Sequence, residues 1–439
     1  MSKAESAPAR RLRAGDVALL IVGIMIGAGI FRVPADIAAA TGDGAVMLGL
    51  WVVGGGAALA GAFCYAELAS RYPGIGGEYH FLRLAFGPRL SAWFVWARLA
   101  VIQTGSIAAV AFVAGDQMRI LWPDGPPPAF WAIVSVVFVT ATALVHLEMT
   151  RRLQQILVAV VILSLLAVMV AALWMPAGAV VTDAVPIPAG GGIGMALVFV
   201  MLAYGGWNEA AYLSAEVKDG RRSMVVALVG GILLVAVLYL AFNAALLHAL
   251  GVDGLAANPA PAAVLVQAAF GTAAGAMIAL AAIAAALSTI NATAITGARA
   301  ICALGQDMPL IARLGAWDGG RSVPVAALLA QGGVALALTL YAATARDGFA
   351  AMVAFGAPVF WLFLSLTAVS LFVLRSKYPD REGFRAPPFL PLVFLAACLF
   401  MLWSGVDYAR HMWTEGGRAA GLLGIILLLV GLPLAWRAK

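Results

Sequence analysis

Long apolar stretches recur along the entire chain, and they constrain its fold more than any other feature. A helix of about 20 apolar residues crosses a hydrocarbon core of about 30 Å. Lipid offers no hydrogen bonds to the backbone, so isolated strands and loops cannot make that crossing. Only 11% of the residues are charged, whereas soluble domains carry about 25%. The sequence therefore predicts an all-α polytopic membrane protein and excludes a soluble enzyme.

We predict twelve transmembrane helices, numbered 1 to 12 and joined by short loops. They cover residues 16–39, 44–69, 90–115, 129–147, 153–174, 191–216, 223–249, 271–300, 323–343, 349–374, 388–409 and 419–436. Two shorter helices are expected at the membrane surface, at 76–86 on the inner side and at 259–270 on the outer side. Residues 1–15 form an N-tail, helices 11 and 12 occupy 388–436, and 437–439 form a C-tail.

The positive charges are divided unequally between the two sets of loops. If the N-terminus is cytoplasmic, 21 of the 27 Lys and Arg residues fall in cytoplasmic segments and five in outer ones, with Arg98 inside helix 3. Loops rich in Lys and Arg stay in the cytoplasm. We therefore expect an inner-membrane protein with both termini cytoplasmic. Basic loops that face an anionic lipid leaflet also explain the net charge of +6 without nucleic acid.

The cysteines and histidines indicate no disulfide and no metal site. Cys64, Cys302 and Cys398 lie in or at the ends of apolar spans without paired spacing, so we expect reduced packing residues. The four histidines are scattered along the chain and do not have the spacing of zinc ligands. We expect no metal and no cofactor.

Helices 1 and 6 each carry glycines near the middle of the span. Helix 1 has Gly23, Gly27 and Gly29, and helix 6 has Gly205 and Gly206. Each glycine weakens a helix interior by about 1 kcal/mol relative to alanine. We therefore expect both helices to be broken at these points.

The two broken helices would begin two repeats of five helices, at 16–174 and 191–374. Because five is odd, the second repeat enters the membrane with opposite polarity. Interrupted helices at matching positions of inverted repeats indicate a substrate site near the midplane. An unwound turn exposes N–H groups for a carboxylate and carbonyls for an ammonium group, as an α-amino acid requires. The alternative is that the glycines only permit close packing, as Gly23-xxx-Gly27 would.

Six motifs occur in a family-specific order between residues 15 and 400. They are Met25-Ile26-Gly27-Ala28-Gly29-Ile30-Phe31, Glu67-Leu68-Ala69, Tyr72-Pro73-Gly74-Ile75-Gly76-Gly77-Glu78-Tyr79, Tyr204-Gly205-Gly206-Trp207-Asn208, Ser288-Thr289-Ile290-Asn291 and Arg385-Ala386-Pro387-Pro388. Together they resemble the amino acid–polyamine–organocation superfamily, and its L-type amino acid transporter branch in particular. The resemblance implies a secondary transporter, a symporter or an exchanger, with twelve helices and a five-plus-five inverted repeat. It would move amino acids or related amines by alternating access.

The resemblance also implies which backbone groups hold the substrate. Its carboxylate would meet the N–H groups of Gly27, Ala28 and Gly29. Its ammonium group would meet carbonyls of helices 1 and 6, those of Met25, Ile26, Leu202, Ala203 and Gly205. Asn208 would hold the unwound segment or the substrate, and Trp207 would either line the site or pack.

Three positions depart from the family pattern. Residues 116–128 contain no cysteine, so we expect no disulfide-linked heavy chain as partner. Leu202 stands where many relatives place an aromatic gate, which indicates a smaller lid. Val161 stands where some relatives carry a lysine in place of sodium, which leaves the coupling ion, H⁺ or Na⁺, open.

Two ion sites follow from the remaining polar residues. Arg98 and Glu209 lie at similar depth inside the membrane, where charges rarely face lipid. They could pair and carry a proton, or form a static pair.

The hydroxyls of Ser288 and Thr289, with carbonyls of Gly23 and Ile26, could instead bind sodium. The alternative is that the hydroxyls bond their own helix.

A membrane-embedded enzyme and a channel are the two alternative functional classes. A membrane-embedded enzyme would need a cluster of acids, bases or metal ligands within the spans, and a channel would need an open polar path. Neither requires two broken helices.

Overall fold

A computed structural model describes residues 22, 25–74, 77–144, 150–178, 192–208, 220–318, 323–414 and 420–437. The first half of the chain contains helix 1 in segments at Ala28–Phe31 and Val33–Thr41, helix 2 at Gly44–Arg71, a short helix at Glu78–Phe86, helix 3 in segments at Pro88–Ala97, Arg98–Ile102 and Gln103–Leu121, helix 4 at Pro128–Ala143, and helix 5 at Thr150–Trp174.

The second half follows the same order. It contains helix 6 at Gly192–Ala203, helix 7 at Gly220–Ala256, a short helix at Pro261–Phe270, helix 8 at Thr272–Asp307, a 3-10 segment at Pro309–Gly315, helix 9 at Val325–Ala342, helix 10 at Gly348–Lys377, helix 11 at Phe389–Thr414, and helix 12 at Ala420–Val430 and Leu432–Trp436.

The helical architecture predicted from hydropathy is confirmed. Among the described residues, eight helices are long and apolar enough to cross a membrane, and four further apolar helices are shorter. Both predicted surface helices are present. Helix 8 continues to Asp307, beyond its apolar stretch. Hydropathy detects only the part of a helix that lies in lipid. A helix can continue beyond the lipid into water when no glycine or proline interrupts it there.

The outer surface of the helix assembly is apolar. Large side chains such as Leu173, Met277 and Val237 are 84%, 70% and 67% exposed. A soluble protein rarely exposes so many large apolar side chains to water. This surface therefore suits a hydrocarbon environment.

Helices at corresponding positions of the two predicted repeats pack against each other. Helix 2 contacts helix 7 and helix 3 contacts helix 8, and these are the two most extensive helix–helix interfaces. Helix 4 contacts helix 9, and the Val33–Thr41 segment of helix 1 contacts helix 6. The breaks in helices 1 and 6 thereby come to lie side by side.

Gly87 and Gly271 occupy equivalent corners of the fold. Gly87 joins the first short helix to helix 3 with φ 92° and ψ −178°, and Gly271 joins the second short helix to helix 8 with φ 89° and ψ 173°. Only glycine adopts this conformation readily. The same corner therefore recurs at matching places in the two halves of the chain.

The helix assembly has two ends, which are defined by where helices 1, 2 and 10 begin and finish. The Arg71 end is where helix 2 finishes, at Arg71, and where helix 10 finishes, at Lys377. The Thr41 end is where helix 1 finishes, at Thr41, and where helix 10 begins, at Gly348.

Candidate functional site

Helix 1 is interrupted between Met25 and Ala28, as its glycines predict. Met25 is helical, Ile26 and Gly27 form a bend, and a 3-10 turn begins at Ala28. The N–H of Gly27 reaches only to the carbonyl of Met25, at 2.8 Å. The helical hydrogen-bond ladder therefore stops here, and the first N–H groups of the next turn have no partner within it.

Helix 6 is interrupted after Ala203. The N–H of Gly205 donates to the carbonyl of Leu202 at 3.0 Å, which closes a turn. Gly206 follows with φ 100°, a left-handed conformation that favours glycine. A Cβ atom on Gly205 would lie 2.9 Å from the carbonyl oxygen of Leu202. Gly205 therefore has no room for a side chain in this turn.

The two breaks meet each other and helix 8. A Cβ atom on Gly29 would lie 3.8 Å from Cα of Ala203, and one on Gly27 would lie 3.2 Å from Oγ1 of Thr289. Backbone from helices 1 and 6 thus converges beside a hydroxyl of helix 8. The residues predicted for a carboxylate and an ammonium group lie together.

The carbonyl of Met25 is already engaged within the protein. It accepts one hydrogen bond from the hydroxyl of Tyr239, a buried residue of helix 7, at 2.8 Å and another from the N–H of Gly27 at 2.8 Å. A carbonyl has two lone pairs, so both acceptor positions are used in this conformation. Among the carbonyls predicted to meet an ammonium group, Met25 is tied to helix 7 by this contact.

The side chains of helix 6 near the break point in different directions. Leu202 is 39% exposed, whereas Ala203 is 4% exposed. The ring of Trp207 packs edge-on against Tyr65 and Phe394, with centroid distances of 5.0 and 5.8 Å. These contacts with helices 2 and 11 favour the packing interpretation of Trp207. Its part in lining the site stays a prediction.

Glu78 joins four elements near the break in helix 6. Its Oε1 accepts hydrogen bonds from the hydroxyl of Tyr65 at 2.6 Å and from the side-chain amide of Asn208 at 3.2 Å. Its Oε2 lies 3.4 Å from Nη1 of Arg98. Glu78 is only 4% exposed. The carboxylate therefore links helix 2, helix 3 and the helix 6 motif to the short helix at Glu78–Phe86.

Glu78 has no role predicted from the sequence, where it occurs only as part of a motif. The available signal was an acidic residue directly after Gly77, which has φ 51°, on the first turn of a short helix. A carboxylate is stabilised at a helix N-terminus, and that local preference does not reveal a distant arginine.

Arg98 begins a π-helical segment of helix 3, Arg98–Ile102, and is 3% exposed. Such segments interrupt the regular ladder and occur often at functional sites. Glu209, its predicted partner, lies outside the described residues. Arg98 is instead beside Glu78, so the pairing of Arg98 with Glu209 stays a prediction.

The predicted sodium site is described only in part. Gly23 lies outside the described residues. The hydroxyl of Thr289 donates to the carbonyl of Ala285 at 2.9 Å, as the alternative interpretation of its role expects. Ser288 also has an interaction partner. Among the described residues, no group of three His, Cys, Asp or Glu side chains is arranged to hold a metal ion.

Comparison with known proteins gives a consistent result along almost the whole chain. A family model described as amino acid permease matches residues 15–407. The chain is 27% identical over 399 residues to the b(0,+)-type amino acid transporter 1 of Mus musculus, covering 87% of this chain and 80% of that protein.

Two further relatives show similar coverage. The serine/threonine exchanger SteT of Bacillus subtilis (strain 168) is 24% identical over 432 residues, covering 96% of this chain and 94% of that protein. The large neutral amino acids transporter small subunit 2 of Homo sapiens is 26% identical over 433 residues, covering 94% of this chain and 77% of that protein. The similarity includes both broken helices.

Proposed function

Because the chain belongs to the amino acid permease family, we propose that it binds its substrate on the backbone of the broken helices 1 and 6. Family membership makes the chain a secondary transporter of amino acids and not an enzyme. Such a carrier needs no cofactor. The observation that supports the site is the convergence of the two breaks at Gly29 and Ala203.

The substrate carboxylate binds the N–H groups of Ala28 and Gly29, and that of Gly27 once it leaves the Met25 carbonyl, to which it donates at 2.8 Å in this conformation. These groups begin a new helical turn and precede the Val33–Thr41 segment. N–H groups at the start of a turn carry partial positive charge and favour an anion. The interruption at Ile26 and Gly27 supports this arrangement.

The substrate ammonium group binds carbonyls of Ile26, Leu202, Ala203 and Gly205. The turn at Gly205 ends the helix 6 ladder, and carbonyls at a helix end lack the usual helical partner. The Leu202 carbonyl accepts the Gly205 N–H in this turn and keeps its second lone pair. The Met25 carbonyl is the weakest member of the predicted set, because Tyr239 and Gly27 already use it. Asn208 holds the segment through Glu78.

The transported class is a neutral α-amino acid, moved by exchange. Two relatives are named for serine and threonine and for large neutral amino acids, and one of these is an exchanger. Uncharged residues surround the convergence of the breaks, namely Ala28, Ala203 and Thr289. The exposed Leu202 would leave space for side chains of different length.

The chain works in the inner membrane with both termini cytoplasmic, so that the Arg71 end faces the cytoplasm. The unequal distribution of Lys and Arg supports this orientation. A disulfide-linked heavy chain is not required, since residues 116–128 contain no cysteine and all three thiols are buried. The five-plus-five repeat is supported by the packing of corresponding helices and by the matching glycine corners.

The test begins with purified protein screened by thermal shift against amino acids and polyamines. A ligand of the native state raises the melting temperature by mass action. The hits are then assayed in proteoliposomes for counterflow. We expect unlabelled neutral amino acid inside the vesicles to accelerate uptake of the labelled one. Uptake that is indifferent to internal substrate would contradict exchange and favour a channel.

A further inference from the structure

Four charged side chains meet near the Thr41 end, where helices 1, 3 and 10 converge. Arg32 lies at the centre, directly after the 3-10 turn of helix 1. Its Nη2 lies 3.3 Å from Oδ1 of Asp36 and in direct contact with Asp347, and its Nε lies 3.5 Å from Oδ2 of Asp116. We call these four residues the Arg32 cluster.

The Arg32 cluster is shielded from solvent. The side chains of Arg32, Asp36, Asp116 and Asp347 are 3%, 8%, 16% and 20% exposed. The guanidinium group also lies 5.6 Å from the ring centroid of Phe349. Interactions between charges are strong at such a site, because little water screens them.

The cluster holds more negative than positive charge. Three carboxylates surround one guanidinium group, which leaves a formal excess of two negative charges when all three are ionised. Oδ2 of Asp36 is buried and has no hydrogen-bond partner. A buried carboxylate oxygen without a donor is costly. An added positive charge at that atom would relieve both the excess charge and the missing hydrogen bond.

Few other charges act on these carboxylates. Arg119, one turn further along helix 3, adds an attraction to Asp116. Three neighbouring elements contain no charged residue. They are the Gly192–Ala203 half of helix 6, which packs against helix 1, helix 4 at Pro128–Ala143 and helix 9 at Val325–Ala342.

The other acidic, basic and histidine side chains described near the Thr41 end are exposed, except Asp407 of helix 11, which is half-buried. The exposed ones are Asp43 before helix 2, His248 and Asp253 on helix 7, Arg346 before helix 10 and Arg410 on helix 11.

We propose that the Arg32 cluster binds a proton, held at the Asp36 carboxyl, when helices 1, 3 and 10 are closed together at the Thr41 end, and releases it when they separate. Separation would give each carboxylate water in place of its neighbours, so that all three could ionise. The site differs from the predicted Glu209 and Arg98 pair, because Arg98 lies beside Glu78, whereas Arg32 pairs with Asp36, Asp116 and Asp347.

The direction of the pH effect follows from the proton count. The closed form holds one more proton than the open form, so acid favours the closed form and alkaline solution favours the open form. For one proton, the ratio of open to closed molecules changes by up to about tenfold per pH unit. In the proposed orientation the pH that matters is that of the outer solution.

The test follows the opening of the Thr41 end and uses no substrate, so its result is independent of the proposed transport function. Spin labels are placed at Ala45→Cys, on the first turn of helix 2, and Thr344→Cys, between helices 9 and 10. Both positions are exposed, and the native thiols Cys64, Cys302 and Cys398 are buried. Electron–electron distances are recorded in nanodiscs from pH 5.5 to 8.5, in sodium-free buffer and again with sodium.

We expect the share of long distances to rise with pH in the native background, with or without sodium. Asp36→Asn should flatten this dependence to less than twofold over the whole range. The matched control Asp124→Asn removes an exposed carboxylate from the neighbouring loop and should keep the native profile. Asp116→Asn is a second variant of the cluster, for use if Asp36→Asn fails to fold, and should likewise flatten the dependence.

Three results would overturn the proposal. One is a native distance distribution that ignores pH. Another is a native pH profile retained in a folded Asp36→Asn or Asp116→Asn variant. The third is a distribution that follows sodium and not pH, which would identify a metal cation as the bound charge.

Discussion

The side-chain amide of Asn208 donates a hydrogen bond of 3.2 Å to Oε1 of Glu78. This bond joins the interrupted segment of helix 6 to the short helix that follows helix 2. The same carboxylate lies beside Arg98 of helix 3. We expect the interrupted segment of helix 6 to move relative to helix 3 during alternating access. Glu78 then has a gating role, because its carboxyl group holds the two elements together before that movement.

Replacing Glu78 should slow the transport cycle more than it weakens substrate binding. Glu78→Gln removes the charge that faces Arg98, and loss of one partner of a buried ion pair costs about 3–5 kcal/mol. We expect the exchange rate to fall by roughly tenfold or more, since about 1.4 kcal/mol is a tenfold effect, with a smaller change in KM. Tyr65→Phe removes only one hydrogen bond from the same carboxylate and should have a milder effect. Equal losses in the two variants, or a change in KM alone, would argue against the gating role.

The glycines of the two breaks should differ in their tolerance of a methyl group. At Gly29 a Cβ atom has ordinary contact distances, the nearest being 3.8 Å, whereas at Gly205 it lies 2.9 Å from a backbone oxygen. We expect Gly29→Ala to insert normally and Gly205→Ala to distort the turn. Gly29→Val and Gly205→Val should both abolish substrate-induced thermal stabilisation, because the branched side chain stands beside the binding groups.

The control for these variants is Gly56→Ala on helix 2, where a Cβ atom meets nothing within 4 Å. It should leave both melting temperature and binding unchanged. Normal exchange by Gly29→Val and Gly205→Val would show that these glycines serve only packing.

Glu67 should be a major contributor to stability at the Arg71 end. Its buried carboxylate accepts four hydrogen bonds. The donors are Nε and Nη2 of Arg375 at 2.9 and 2.6 Å, Nη1 of Arg71 at 3.2 Å and the N–H of Ala386 at 2.7 Å. Glu67→Gln leaves Arg375 without its charged partner, at a cost of about 3–5 kcal/mol. We expect a clear fall in Tm in detergent. Asp380→Asn, an exposed change in the adjoining loop, should leave Tm within error, and a similar Tm for both variants would refute this role.

His80 should make stability sensitive to mild acid. It lies on the short helix at Glu78–Phe86, and its pKa is lowered from 6.5 by burial and by the positive charges of Arg381 and Arg83. A lowered pKa means that the folded state binds fewer protons, so this stability is present above pH 6.5 and is lost as pH falls below it. His80→Gln should reduce the loss of Tm between pH 7 and pH 5. An unchanged pH profile would exclude His80 as the source.

The orientation of the chain is tested by reporter fusions. Fusions at residues 85, 220 and 318 should report the cytoplasm, and those at 125, 184 and 255 the outer side. The physical reason is that short loops rich in Lys and Arg are retained in the cytoplasm. Reversal at any two of these sites would overturn the proposed topology and would place the Arg32 cluster on the cytoplasmic side.

Features that depend on residues close together along the chain could be predicted from the sequence. Helix 2 was predicted at 44–69 and is found at Gly44–Arg71, because the length of an apolar stretch is itself the signal for a membrane span. The breaks at Gly27 and Gly205 were predicted for a similar reason. A glycine weakens the helix in which it lies, whatever packs around it.

Only the tertiary structure decided which distant side chains meet. Arg32 and Asp347 are separated by 315 positions, and Arg375 and Glu67 by 308. Trp207 packs between helices 2 and 11, and Arg98 lies beside Glu78. These pairings depend on how separate helices pack, and hydropathy describes each helix by itself. The sequence therefore determined where the chain crosses the membrane and where its helices break, whereas the packing of those helices decided which buried charges become partners.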